Sequence, residues 1–427
     1  METEWLGQGI CDSLSAIVYE NKSNLDGLLN YEGSWGRMMK MKAAVMIGVG
    51  APLDIQEVDL AAPKSNEVLV KIEATGVCHS DLNALNDAST PTPTILGHEG
   101  AGIVTEIGPN VKNVKVGDKV ALSWVPYCGT CEFCVTGAVH LCESAFGPMF
   151  DGTLLDGTSR LSKEGATIFH NSLLSTFAEY AVVPEMSCIK LPDEMPMAQA
   201  SLIGCGVATG YGAAVNAAKV TPGSTVAVFG IGGVGVNAIQ GARIAGAAKI
   251  IACDVKPANL EIAKRFGATH TVNVAKENVE ERLKALTNGH GVHFAIDCSG
   301  NTKATENAWN GTRKGGTVVV VGAFNPEMVL NLPASGFHRV GKILKGSFYG
   351  DVQPFRDFSR IAQLYLDGKF MLDELVLERI KLNDINTAFD AFHDCNCINV
   401  GRSVIESSTQ PSLDNKECES KKIEPVI

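Results

Sequence analysis

"STVAVFGIGGVG", residues 224–235, decides how the rest of the chain is read. An apolar strand runs into Gly230, Gly232 and Gly235 at G-x-G-x-x-G spacing, with Gly233 in the same turn, and a helical pattern, VNAIQGARIAGA, follows. Strand, glycine turn and helix in that order let backbone approach a pyrophosphate seated on the helix N-terminus. The motif alone is weak, but Asp254 closes the next apolar run, KIIACD, twenty-four residues after Gly230. An acid at that distance accepts ribose hydroxyls and repels a 2′-phosphate, so the stretch predicts NAD in preference to NADP. A glycine-rich turn without a ligand is the bland alternative, and Asp254 in its strand context counts against it.

Outward from this turn, strands and helices alternate from about 222 to 348. KIIACD precedes ANLEIAKRFGA, and HFAIDCSG and GTVVVVGAF flank a further helical stretch. That alternation predicts an α/β, doubly wound parallel sheet of Rossmann type. From 42 to about 205 the texture changes to short β-rich runs broken by Gly and Pro, such as EVLVKIEATGV, GDKVALSWV and AEYAVV. These suit a β-barrel-type domain, and residues 350–405 return to mixed character and can rejoin it. The expected organisation is an N-terminal extension (1–40), a barrel-type domain (41–206), a Rossmann domain (207–348), a return segment (349–405) and a disordered polar tail (406–427). The regular pattern begins at MKMKAAVMIGVG, and Met38, Met39 and Met41 leave open a start of translation there.

The 427 residues are 45% hydrophobic and carry a formal net charge of −11 without a basic block. That balance argues against nucleic acid or an anionic membrane surface as partner, and there is no apolar run long enough to span a bilayer. Residues 1–40 lack an apolar core and an arginine-rich, acid-poor character, so neither a secretory nor a transit peptide is read, and the cytoplasm is the default. The thirteen cysteines are then expected as thiols or metal ligands in a reducing compartment. CGTCEFCVTGAVHLC sets Cys128, Cys131, Cys134 and Cys142 at C-x2-C-x2-C-x7-C. Four such thiolates can close a tetrahedral zinc site. An iron–sulfur run begins with the same spacing but ends in x3-C-P, whereas here the fourth cysteine follows seven residues later with Glu143 behind it. The run predicts a structural zinc, a closed site with no place for substrate. A second, open site needs ligands that converge from elsewhere. The candidates are Cys78 in GVCHSD, His98 and Glu99 in GHEGAG, and Cys205 in GCGVATGYGA, each in a glycine-rich loop and the last at the junction of the two textures.

These five motifs occur together in one order, and residues 41–405 resemble the zinc-dependent medium-chain alcohol dehydrogenases, in the branch with the longer, dimeric-type segment. The resemblance implies a GroES-like catalytic domain beside the NAD-binding one. It implies Cys78, His98 and Cys205 as ligands of a catalytic zinc, with Asp81 orienting His98 and Glu99 near the metal. Ser80 takes the place of the hydroxyl that meets the substrate alcohol and starts the proton path. His79 and Arg402 match positions that pair with the pyrophosphate, Thr209 one beside the nicotinamide, and Trp124 a wall of the substrate pocket. The implied activity is reversible hydride transfer between a primary alcohol (aliphatic, allylic or benzylic) and NAD, with two zincs per chain. The stretch 150–180 resembles the segment of dimeric members, which implies a homodimer joined through the NAD domains near 327–332, EMVLNL.

The chain departs from the family pattern twice. Asn83 stands where many members have the histidine that ends the proton relay, and an amide cannot titrate near neutral pH. Phe146 stands where the branch that oxidises S-hydroxymethylglutathione has an arginine for a glutathione carboxylate, which disfavours that substrate. Two other readings remain: a nicotinoprotein that keeps its NAD bound, and a non-catalytic zinc and nucleotide protein. Cys188, Cys253, Cys298, Cys395 and Cys397 have no motif support and are expected as buried small hydrophobes or incidental thiols.

Overall fold

The structure is a computed structural model and describes residues 38–325, 327–392 and 400–407. Residues 408–427 of the expected tail and 1–37 of the extension, with Cys395 and Cys397, lie outside the described residues, whereas Glu406, expected in the disordered tail, ends the strand Arg402–Glu406, and the Ser407 amide donates to the Glu73 carbonyl at 3.1 Å. The first ten strands are β1 (Met38–Met46), β2 (Asp54–Ala61), β3 (Glu67–Gly76), β4 (Thr94–Ile95), β5 (Glu99–Ile107), β6 (Lys119–Leu122), β7 (Leu161–Lys163), β8 (Ala166–His170), β9 (Tyr180–Pro184) and β10 (Cys188–Lys190). The first of them starts inside the segment expected as an extension, because Met38–Lys40 already pair with Asp59–Ala61 of β2.

Strands β1, β2, β7, β8 and β4 close a small barrel, as the turn-rich pattern predicted. Beside it runs a sheet in the order β10-β6-β5-β3, with β9 also on β3. The chain's return completes that sheet with β17 (Val376–Ile380) and β18 (Arg402–Glu406). The strand β18 lies between β3 and β17, antiparallel to the first and parallel to the second.

The remaining strands are β11 (Thr225–Phe229), β12 (Lys249–Asp254), β13 (His270–Asn273), β14 (Val292–Asp297), β15 (Thr312–Val320) and β16 (Ile343–Gly346). They pair in parallel throughout, in the order β13-β12-β11-β14-β15-β16. Val226, Ala227, Val228 and Phe229 of β11 are all buried, as expected of a central strand covered on both faces. Strand order reverses between β11 and β14, which opens a crevice at their C-terminal ends, just where the glycine turn lies. Residues 327–332 form no strand in the single chain, and β16 is the sheet edge on that side.

The two halves meet on a helix running from Met197 to Ala217, which carries two π-helical stretches, Ile203–Val207 and Ala213–Ala217. This corrects the expectation of a loop at GCGVATGYGA. The glycines there serve close approach: a Cβ on Gly204 would lie 2.6 Å from the Leu122 carbonyl oxygen, and one on Gly210 would lie 2.2 Å from that of Val234. The helix thus presses on β6 with one turn and on the helix Gly233–Ile244 with the next. One apolar core runs through it, from Val45 of the barrel by Leu202 and Tyr211 to Val228 of the parallel sheet. Among the described residues no helix is long and apolar enough to cross a membrane.

Candidate functional site

Three chain segments deliver the open cluster. Cys78 is the N-cap of the helix His79–Asn86, which begins where β3 ends. His98 precedes β5, whose first residue is Glu99, and Cys205 sits in the first π-helical stretch. Ligand atoms of Cys78, His98, Glu99 and Cys205 all lie within 4.8 Å of one another. Asp81, itself buried, organises three of the approaches. Its carboxylate accepts the Cys78 amide at 3.0 Å and the Gly97 amide at 3.2 Å, and lies 2.8 Å from His98 Nδ1. With Nδ1 turned to the acid, Nε2 faces the sulfurs and stands 3.3 Å from Cys205 Sγ. Zinc held tetrahedrally by nitrogen and sulfur needs ligand edges of about 3.5–3.8 Å, so the donor set and its spacing fit that metal. The electrostatics agree. Hydrogen bonding with Cys205 and the Arg402 guanidinium, working against burial, hold the Cys78 thiol well below its usual range. The same pairing and burial push Cys205 well above. Two buried thiols in this position cannot both ionise without a cation between them.

The four-cysteine lobe gathers in the same way. Sulfurs of Cys128, Cys131, Cys134 and Cys142 are mutually within 4.8 Å, and Cys128 Sγ lies 3.9 Å from Cys134 Sγ, close to the ~3.8 Å edge of a tetrahedral zinc–thiolate site. The Thr130 hydroxyl and amide hold Cys128 down to about 5, while burial pushes Cys134 up to about 12.

At the crevice, Gly230 has φ +80°, and a Cβ there would lie 2.8 Å from Ser299 Cα. Gly232 caps the helix Gly233–Ile244, and a Cβ on Gly235 would meet the Gly230 carbonyl oxygen at 2.0 Å. These are the tight turn and close helix–strand packing that a dinucleotide cradle needs. Asp254, at the end of β12, accepts the amides of Ile231 at 2.7 Å and Lys256 at 2.8 Å and is nearly buried. Arg402 joins the two sites. Its guanidinium donates to both carboxylate oxygens of Glu99 at 3.0–3.1 Å and to Cys78 Sγ at 3.2 Å. Its Nη1 also lies 2.5 Å from where a Gly233 Cβ would stand. Burial pushes the Glu99 carboxyl up to about 7 against the pull of Arg402.

Residues 64–193 match the family described as alcohol dehydrogenase GroES-like domain, and residues 233–366 match that described as zinc-binding dehydrogenase. The chain belongs to the zinc-binding alcohol dehydrogenases. It is 39% identical to S-(hydroxymethyl)glutathione dehydrogenase of Komagataella pastoris, over 85% of this chain and 97% of that one. It is also 39% identical to NDMA-dependent alcohol dehydrogenase of Amycolatopsis methanolica, over 83% and 96% respectively. Among solved structures, benzyl alcohol dehydrogenase of Acinetobacter calcoaceticus superposes with a TM-score of 0.81 at 34% identity, covering 86% of this chain and 99% of that one. As a family member the chain is an oxidoreductase that uses zinc and a nicotinamide dinucleotide.

The other expected residues of this alcohol dehydrogenase are placed as follows. Ser80 and His79 are exposed on the first turn of the helix after Cys78, and the His79 ring meets Phe392 edge-on at 5.6 Å. Asn83 is exposed one turn beyond Ser80. Thr209 is buried in the helix that carries Cys205. Trp124 packs on Phe348 at 5.3 Å and Tyr349 at 4.5 Å, and its Nε1 is buried with no partner among the described residues. Phe146, exposed on one side, makes tilted ring contacts with Phe150 at 5.7 Å and Phe348 at 5.5 Å. Cys188 and Cys253 are buried and Cys298 half-buried, and none joins a cluster. Sequence reasoning missed the pairing of Arg402 with Glu99, and also Tyr349, whose hydroxyl donates to the Gly204 carbonyl at 2.5 Å. Neither carries a local motif; only the fold brings them to the site.

Proposed function

We propose that this chain is an NAD-dependent dehydrogenase of primary alcohols, aliphatic, allylic or benzylic, with Cys78, His98 and Cys205 as ligands of a catalytic zinc and the four cysteines as ligands of a structural one. The observation that carries this reading is Arg402, whose single guanidinium touches Cys78, Glu99 and the first residue of the dinucleotide helix. A ligand cluster and a pyrophosphate cradle that abut in this way put hydride acceptor and alcohol side by side. When bound, zinc supplies a Lewis acid for a hydroxyl oxygen, and the nicotinamide accepts hydride. The protein's part is to hold and orient. Asp81 fixes the His98 tautomer, and Ser80 Oγ takes the hydroxyl proton toward solvent. Trp124 walls the alcohol, and Thr209 packs by the nicotinamide. Arg402 and His79 turn to the pyrophosphate over Gly230, Gly232, Gly233 and Gly235, and Asp254 takes the ribose.

In this reading the catalytic domain comprises 41–206 and 349–405 and the NAD domain 207–348. Two chains associate through their NAD domains near 327–332, and the protein works in the cytoplasm. The Phe146 ring, packed among aromatics, offers nothing to a glutathione carboxylate, so simple alcohols are favoured over S-hydroxymethylglutathione despite the likeness to enzymes named for it. A second reading, a nicotinoprotein that retains its NAD, is favoured by the likeness to NDMA-dependent alcohol dehydrogenase. Absorbance at 340 nm, with concentrated protein, NAD and a panel of ethanol, allyl and benzyl alcohols, separates them. Sustained NADH formation is expected. A single burst stoichiometric with protein supports the second reading, and no signal from protein holding two zincs per chain overturns both.

A further inference from the structure

The four-cysteine lobe is far from silent toward the substrate wall. Where the chain leaves β16 and re-enters the catalytic half, Tyr349, Gly350 and Asp351 are successively left-handed, with φ of +57°, +69° and +52°. Two of these residues carry a Cβ, for which that region is disfavoured, so the surroundings must hold them there. Gly350 presses on the helix of Cys205, since its Cβ would lie 2.4 Å from the Thr209 carbonyl oxygen. Asp351 supplies the bracing. Its carboxylate accepts Lys345 Nζ at 2.5 Å and Ser347 Oγ at 2.8 Å, and His140 Nε2, from the loop between Cys134 and Cys142, stands 3.6 Å away. The lobe makes two further contacts with the same segment. Gln353 Nε2 donates to the Gly137 carbonyl at 2.9 Å, and Tyr127 meets Phe355 edge-on at 6.0 Å. On its other side the braced turn presents Phe348 and Tyr349 to Trp124.

We propose that Asp351 is a positioning residue for the substrate wall, and that the four-cysteine lobe acts on alcohol selection through the turn Tyr349–Asp351. This rests on the reading that Trp124, Phe348 and Tyr349 face the alcohol. The carboxylate holds the left-handed turn, the turn sets the two aromatic rings against Trp124, and the filled lobe backs the turn from behind. Contacts of this kind are reciprocal: what steadies the wall through the lobe also steadies the lobe through the wall.

The test uses the holoenzyme and Asp351→Asn, which keeps tolerance for the left-handed region while removing the charge that holds Lys345. Expected are a KM for benzyl alcohol raised about tenfold, with kcat and the KM for ethanol changed less than about twofold, because uniform binding of the ring is lost and the reacting groups are untouched. The second readout is zinc release from the lobe to a chromogenic chelator, followed in a Cys205→Ser background so that only the lobe contributes. Asp351→Asn is expected to hasten it. Equal changes in both KM values, or no change in the KM ratio and in release, overturn the proposal. Should Asp351→Asn fail to fold, Gln353→Ala, which removes one exposed bond to the lobe, is expected to shift both readouts in the same direction by less, and no shift in either overturns the proposal. A wild-type protein inert toward every alcohol would strike at the reading of the site instead, and the release rates alone would then decide the coupling.

Discussion

Asp81 shows how much one side chain can organise: with a single carboxylate it holds the Cys78 amide, the Gly97 amide and the His98 ring. Replacing it by Asn leaves the shape and removes the charge that keeps His98 Nδ1 protonated and Nε2 free. Asp81→Asn is expected to weaken zinc at the open cluster by about 10–100-fold while the four-cysteine lobe stays filled; zinc per chain after dialysis against a graded chelator would show one metal lost and one kept. Asn83 is the converse case, a position where the chain lacks a group. Exposed one turn beyond Ser80, it can receive an imidazole. Asn83→His is expected to shift the alcohol-oxidation profile to lower pH and raise the rate at pH 7 roughly tenfold, less than direct proton transfer yields because the ring acts through Ser80. An unchanged pH–rate profile would refute a role for the position. At this scale the sequence is eloquent where clustered residues are neighbours, as in the four cysteines, and mute where they are not. His98 meets Asp81 across 17 positions, which family order made legible, but Arg402 meets Glu99 across 303, and its motif match spoke only of the cofactor.

Elements were legible to the extent that their pattern is self-contained. A buried parallel strand must be apolar throughout and a glycine turn must follow it, so β11 and the turn at Gly230 could be read directly. The helix Met197–Ala217 could not, because its glycines answer to neighbours, the Leu122 and Val234 carbonyls, that lie far off in sequence; in isolation such a string reads as a loop. Gly210→Ala is therefore expected to destabilise by about 1–3 kcal/mol through overpacking, since the Val234 carbonyl, the Ala238 amide nitrogen and Asn237 Cβ all block the added methyl, and a lower melting temperature with NAD-binding impaired would show it. The β7–β8 hairpin makes a pH-dependent contribution. His170 is buried, accepts the Arg160 amide at 3.2 Å, and is held down to about 3 by burial and then by the Arg160 charge. The unfolded imidazole binds a proton below its ordinary 6.5 while the folded one does not, so stability rises with pH across this window. That contribution is complete above about 6.5 and lost, at up to about 1.4 kcal/mol per unit, as pH falls toward 3. His170→Asn is expected to flatten the decline of melting temperature between pH 7.5 and 5 relative to wild type; parallel curves would sink the assignment.

The whole molecule is a loop closed on itself: barrel and sheet first, parallel sheet next, then a return that threads β18 between β3 and β17. Since Val404 pairs with Gly76, two residues before Cys78, the last described strand lies against the start of the open cluster. Deleting Arg402–Glu406 would leave two strand edges bare and remove the guanidinium that joins the sites. The expected outcome is protein that aggregates on size exclusion, whereas Arg402→Ala should elute as wild type and bind NAD more weakly. The two fold classes, barrel-type and doubly wound, were foreseen from texture, because alternation and turn-rich runs span many residues. The exact start of β1 and the absence of a strand at 327–332 were not, since both depend on what pairs with them. The threading also fixes an order of birth. On a ribosome adding about 5–20 residues per second, the four-cysteine loop is out and complete roughly ten seconds to a minute before β18 emerges. The four-cysteine cluster is therefore whole before Cys205 is added to the other, and a chain released short of residue 402 carries both clusters without the guanidinium that joins Cys78 to Glu99.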